Sequence, residues 1–148
     1  MNGIKFSCQQ VAIMTSSVEK HLELIQNVIG RLSQNSFAIR GWTITVISAL
    51  LALSTKVTIC NIAFIPALFF WGLDAYYLRQ ERLFRKLYQA VLEKRLETDL
   101  KLVPYSMDTS FFSDKVDHLW KTMLAPTLLG IYGPIFLVIA AIEFLNAR

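Results

Sequence analysis

Three stretches of the chain are apolar for long enough to cross a lipid bilayer, and the segments before the first and between the second and third carry most of the charge. The first, residues 37–53 (FAIRGWTITVISALLAL), carries only Arg40, one turn from its start, where a long side chain can reach the headgroups. A polar turn, Ser54-Thr55-Lys56, leads to the second, residues 57–73 (VTICNIAFIPALFFWGL). The third, residues 122–142 (TMLAPTLLGIYGPIFLVIAAI), is uncharged throughout. Seventeen helical residues rise roughly 26 Å against a hydrocarbon core of ~30 Å, so the first two spans are short and the third is sufficient. A soluble helical bundle is the competing arrangement. Twenty-one uncharged residues in succession weigh against it.

The polar segments are patterned as helices. Ser16-x-x-Glu19 has the form of a capping box, and Val18, Leu22, Ile25, Ile29 and Leu32 then recur at spacings of four and three, the signature of a heptad seam. The spacing continues through Ile39, Thr43, Val46, Leu50 and Leu53, which predicts one long helix entering the first span, with Gly30 and Gly41 as its weak points. After the second span, Leu73, Tyr77, Phe84, Leu87 and Val91 form a matching seam with Gln80 as its polar position. Residues 99–113 (DLKLVPYSMDTSFFS) have no period; Pro104 interrupts them and Ser113 is placed to cap the next helix.

The resulting expectation is an all-α integral membrane protein in a single domain. Residues 1–36 form a cytoplasmic N-terminal helix, 37–73 a transmembrane hairpin, 74–118 a cytoplasmic helix and loop, and 119–145 a third transmembrane helix. Charge orients it. Arg79, Arg82, Arg85, Lys86, Lys94, Arg95, Lys101 and Lys115 lie after the hairpin and four further basic residues precede or open it, whereas the intervening turn has only Lys56. Both flanks therefore face the cytoplasm, leaving the C-terminus outside.

Composition agrees with this reading: 54% of the 148 residues are hydrophobic, too many for an ordinary soluble domain, and the net charge of +4 is better read as topology than as a nucleic-acid signature. Cys8 and Cys60 are far apart and predict neither a disulfide framework nor a zinc site. The N-terminal residues MNGIKFSCQQVAIM are too polar for a secretory signal, and Asn2 breaks the myristoylation pattern.

Candidate chemistry is sparse. Arg79, Arg82 and Lys86, at i, i+3 and i+7, place three positive charges on one helix face with Tyr76, Tyr77 and Tyr88 within reach. Cations neutralise phosphates and tyrosine rings stack on bases, so this face can take a nucleotide or oligonucleotide. The same residues also serve as topology markers that meet lipid headgroups, with Arg85 paired to Glu81 one turn away. Thr45, Ser48 and Ala52 form a stripe of small and hydroxylated residues on the first span, joined by Asn61 on the second; such a stripe lets helices pack closely or lines an aqueous path. Pro126, Gly130, Gly133 and Pro134 make the third span bendable. Asp74 and Glu143 fall near opposite interfaces, and Asp74 is placed to pair with Arg40. Asp114, Asp117 and His118 are few for a metal site, and His21 reads as a surface residue. No nucleophile elbow, phosphate loop or paired-histidine motif occurs, so neither an enzyme nor a cofactor is expected.

The helix 71–88 (WGLDAYYLRQERLFRKLY), which passes from apolar to arginine and tyrosine, the short hairpin before it and the single later span resemble the small membrane effectors of bacterial antiphage defence. Among these the chain is similar to the Hailong-type channel effectors, which are paired with a nucleotidyltransferase. The resemblance implies an oligomeric ion channel of the bacterial inner membrane, gated by a nucleotide or short single-stranded DNA, whose opening depolarises the membrane. On it, Arg79, Arg82, Lys86, Tyr76 and Tyr77 are expected at the ligand, and Thr45, Ser48 and Ala52 in the pore or its packing. One copy has too few polar residues to enclose a wet pore, so conduction requires a homo-oligomer, held in part by the seam of Leu22, Ile25, Ile29 and Leu32. The competing class is a non-conducting anchor or immunity subunit that binds a protein partner.

Overall fold

The computed structural model describes residues 2–53, 57–96 and 105–146, with side chains described over 16–53, 62–93 and 105–145. Helix α1 runs from Asn2 to Leu53 and α2 from Val57 to Leu96; a 3-10 helix at Ser110–Lys115, a short α3 (Leu119–Met123) and α4 (Pro126–Asn146) follow. Among the described residues there are helices and no strand. The side chains of Cys8, Cys60, Asn61, Lys94 and Arg95, together with Lys56, Lys101, Pro104 and Arg148, lie outside the described residues.

Helix α1 is longer than its apparent start signal. It is already helical at Asn2, so Ser16 and Glu19 sit inside it and not at its start. It also passes through Gly30 and Gly41 without a break, each in open space where a side chain would meet nothing within 4 Å. At the other end, Ser113 lies within the 3-10 helix instead of capping the next one. The third apolar stretch is divided. Thr122 belongs to α3, and Pro126 opens α4, where its missing N–H leaves no intrahelical bond unmade. Pro66 and Pro134 are interior to α2 and α4, so the carbonyls of Ile62 and Gly130 lack an N–H four residues on. Helices in lipid tolerate this where neighbouring groups satisfy the freed carbonyls.

The chain forms two compact units, to which α1 and α2 both contribute. The first comprises Met1–Arg31 and Glu81–Val116, the second Leu32–Gln80 and Asp117–Arg148. In the first unit Leu22 and Ile25 of α1 pack on Leu87 and Val91 of α2, with Val18, Ile29 and Phe84 around them and Met107 and Phe112 covering the cluster. The seam expected to hold copies together is thus filled from within the chain.

The second unit has two clusters. Ile47 packs with Ala63, Ala67 and Ile139, bringing α1, α2 and α4 together; Ala75, Leu128 and Tyr132 form the other, ringed by Phe70, Trp71 and Met123. Alanine at 63, 67 and 75 lets helices approach closely. The α2 seam departs from its heptad here. Leu73 and Tyr77 are only half-buried, and Asp74 and Ala75 take the inward positions. In α1 the inward residues are Thr43 and Ile47, with Leu50 beside them, while Leu53 is 72% exposed.

Among the described residues two helices are long and apolar enough to cross a membrane: Ser16–Leu53, within α1, and Pro126–Leu145, within α4. Only 17% of the most apolar window of each is buried inside the chain, unlike the core helices of a soluble bundle. Phe37, Trp42, Ile65, Phe69, Leu137 and Phe144 are all largely exposed.

Candidate functional site

The densest polar chemistry among the described residues lies inside the second unit. Asp74 is completely buried on the apolar half of α2. Its Oδ2 accepts a hydrogen bond from Arg40 Nε at 2.8 Å, and its Oδ1 accepts from Arg40 Nη2 at 3.5 Å and from the hydroxyl of buried Ser36. Ser36 and Arg40 are one turn apart on α1, so both meet a single residue of α2. Thr43, one position short of the next turn and fully buried, donates to the Ile39 carbonyl at 2.8 Å. From α4, buried Tyr132 donates its hydroxyl to the Phe70 carbonyl at 3.2 Å and lays its ring against Trp71, with centroids 6.3 Å apart. The Tyr132 hydroxyl lies in the field of Asp74 and Arg40.

This arrangement is chemically closed. A buried carboxylate is tolerated when a cation neutralises it and donors fill its lone pairs, and Asp74 has both. The guanidinium fork fixes geometry as well as charge. The cluster ties α1, α2 and α4, with Asp74 fully buried and the Arg40 side chain 27% exposed. Near the other end of α4, Glu143 Oε1 is buried with no hydrogen-bond partner.

The basic face expected to grip an anion is more committed than its spacing suggests. In the second unit, half-buried Arg79 donates from Nε to the Asp117 carbonyl at 3.2 Å, while Tyr76 is 49% exposed with its ring edge-on to Tyr77. In the first unit, Arg82 has a partner within the chain and Lys86 is exposed. Arg85 is held by Glu81 through two bonds, at 2.6 and 2.9 Å. A shallow cleft of about 270 Å3 beside it is lined by Gln26, Ile29, Tyr88 and Gln89.

Thr45, Ser48 and Ala52 are all exposed on α1, left uncovered by the described residues. Thr45 satisfies its hydroxyl on the Gly41 carbonyl at 2.9 Å. His21, expected at the surface, is instead buried, with Nε2 2.9 Å from the Ser106 carbonyl and its ring tilted against Tyr105. Its cover comes from 85 residues further along the chain. Asp117 pairs with Lys121 at 2.7 Å. Among the described residues no three His, Cys, Asp or Glu side chains converge on a metal position.

Sequence reasoning placed the Arg40–Asp74 and Glu81–Arg85 pairs but missed Ser36 and Tyr132. Ser36 had a signal, one turn before Arg40 on a face containing Thr43. Tyr132, in an uncharged span, had none. Comparison with protein-family models, with curated proteins and with solved structures finds no match for this chain.

Proposed function

We propose that the chain is the subunit of a homo-oligomeric ion channel in the bacterial inner membrane, an effector of antiphage defence that depolarises the cell when a nucleotide or short single-stranded DNA acts on the basic residues of α2. The observation that carries this reading is the uncovered face of α1, where Thr45, Ser48 and Ala52 are exposed on a helix apolar enough for lipid. Hydroxyl-bearing residues facing away from their own chain favour contact with other copies around a polar path. The buried Asp74 cluster supplies the rigid frame on which such a face is presented. Arg79, Arg82 and Lys86, with Tyr76 and Tyr77, are the proposed ligand residues, and a nucleotidyltransferase is the proposed partner.

A second reading is a non-conducting anchor or immunity subunit that binds a protein partner. It is favoured by the arginines themselves, since Arg79 and Arg85 are engaged within the chain. Ion flux through liposomes holding the purified protein separates the two. On the channel reading, flux appears or disappears on adding nucleotide or oligonucleotide, and binding weakens as salt rises. Arg82→Gln and Lys86→Gln each lower the dependence of log affinity on log salt by about one. Arg79→Gln also removes the bond to Asp117, so it is compared with these two. No flux under any ligand condition overturns the channel reading and leaves the anchor.

A further inference from the structure

We propose that α3 is an interfacial anchor, with Trp120 and Leu124 inserted among the glycerol and upper acyl groups of the bilayer. The inference rests on the membrane-spanning part of the reading above and is independent of conduction. Trp120 is 78% exposed and Leu124 62% exposed, and at i and i+4 they share one face of the turn. Thr122, on the opposite face, is completely buried and bonds back to the His118 carbonyl.

The segment is fastened at Met123, the last residue of α3, and at Asp117, two residues before the helix. Trp71 Nε1 donates to the Met123 carbonyl at 3.1 Å, and Arg79 Nε donates to the Asp117 carbonyl at 3.2 Å. These bonds prevent the segment from rolling to bury its indole, so the apolar face is held outward by the fold.

What covers that face follows from its place along the chain. Only Leu124 and Ala125 separate α3 from α4, and the link is tight, with Ala125 N donating to the Thr122 carbonyl and Leu128 N to the Ala125 carbonyl at 3.0 and 2.9 Å. The 21 residues of α4 rise roughly 31 Å, about the thickness of the hydrocarbon core, so its first residue stands at the edge of that core. The segment immediately before it lies at the headgroup level, where tryptophan is favoured because its ring is apolar and its N–H polar. Lys121 is already neutralised by Asp117 at 2.7 Å. With Asp117 and Lys121 offsetting each other in formal charge, the hold on the bilayer is expected to come from the apolar side chains.

The test uses the full chain in phosphatidylcholine liposomes with Trp42→Phe and Trp71→Phe, which leaves Trp120 as the sole tryptophan. Emission blue-shifted from that of indole in water is expected, with quenching several-fold stronger by lipids brominated near the headgroup than by lipids brominated near the chain end. Replacing half the lipid with phosphatidylglycerol leaves both unchanged. Water-like emission quenched by aqueous iodide overturns the anchor, and a strong gain with phosphatidylglycerol overturns its apolar character.

Because Trp71 holds α3, a second variant keeps it: Trp120→Cys with Cys8→Ser and Cys60→Ser, spin-labelled, beside Leu137→Cys in the same background. Label accessibility to oxygen at both positions supports the anchor. Accessibility of position 120 alone to an aqueous nickel chelate overturns it. Aqueous accessibility at both positions removes the membrane reading and the anchor with it.

Discussion

At the scale of single residues, Asp74 dominates. Removing one member of a buried ion pair leaves the other unneutralised, which costs about 3–5 kcal/mol in closed sites; the 27% exposure of the Arg40 side chain moves the expectation for Asp74→Asn to about 3 kcal/mol. Replacing both partners with apolar residues of similar volume, Arg40→Met with Asp74→Leu, is expected to restore most of that loss, because no buried charge then remains. Denaturant unfolding in detergent micelles, run as a double-mutant cycle, checks this through the sign of the coupling. Elsewhere, the Ser110 hydroxyl and N–H hold the Asp108 carboxyl below its ordinary value of 3.8. A lowered carboxyl pKa gives stability that is present above the unfolded value and lost as pH falls through the folded one. Below pH 3.8 the turn leading into the 3-10 helix is thus expected to loosen, and the Asp108 carboxyl resonance should titrate with its midpoint under 3.8.

Among whole elements, the contact of α1 with α2 in the first unit rests on few side chains. Ile25 is fully buried there and Val91 nearly so. Ile25→Ala should remove about 2–5 kcal/mol, the range for a truncated aliphatic residue in a closed core. Amide hydrogen exchange should then speed up over 18–29 and 84–91, while amides near the second unit's Ile47 and Ile139 keep their protection. Equal acceleration in both units would show that they unfold as one. His21→Ala tests the cover on the same cluster: it deletes the bond to the Ser106 carbonyl, worth about 1 kcal/mol, and should raise exchange at residues 106–109 before the helices change.

For the molecule as a whole, Leu22 and Ile25 are buried against α2 of the same chain and Ile29 packs beside them, so the homo-oligomer proposed above is expected to use other surfaces. The exposed stripe of Thr45, Ser48 and Ala52 is the proposed one, and Ser48→Trp should reduce the mass of the detergent-solubilised complex, by light scattering, without loss of helicity. An unchanged mass would exclude that stripe as the contact. Basic residues on both sides of the hairpin predict an N-terminus inside and a C-terminus outside. A reporter fused after Arg148 should be active only on the outer side of the membrane.

Helical content, the apolar stretches and the pairing of Glu81 with Arg85 were legible in the order of residues. Each depends on neighbours within a few turns: an uncharged run long enough for a bilayer, a period near 3.5, a carboxylate four residues before a guanidinium. Arg40 with Asp74 was legible for a different reason, because lone charges in apolar helices need a counter-ion and few were available. The i, i+3, i+7 spacing of Arg79, Arg82 and Lys86 was equally plain, but that Arg79 is spent on the Asp117 carbonyl was not. Tertiary structure alone decided where His21, Ser36 and Tyr132 lie, since their partners Ser106, Asp74 and Phe70 are 85, 38 and 62 residues away. It also decided that the α1 seam closes on α2 of the same chain and that Trp120 is held outward. Burial is set by whatever covers a residue, and a local pattern specifies a face without specifying its cover.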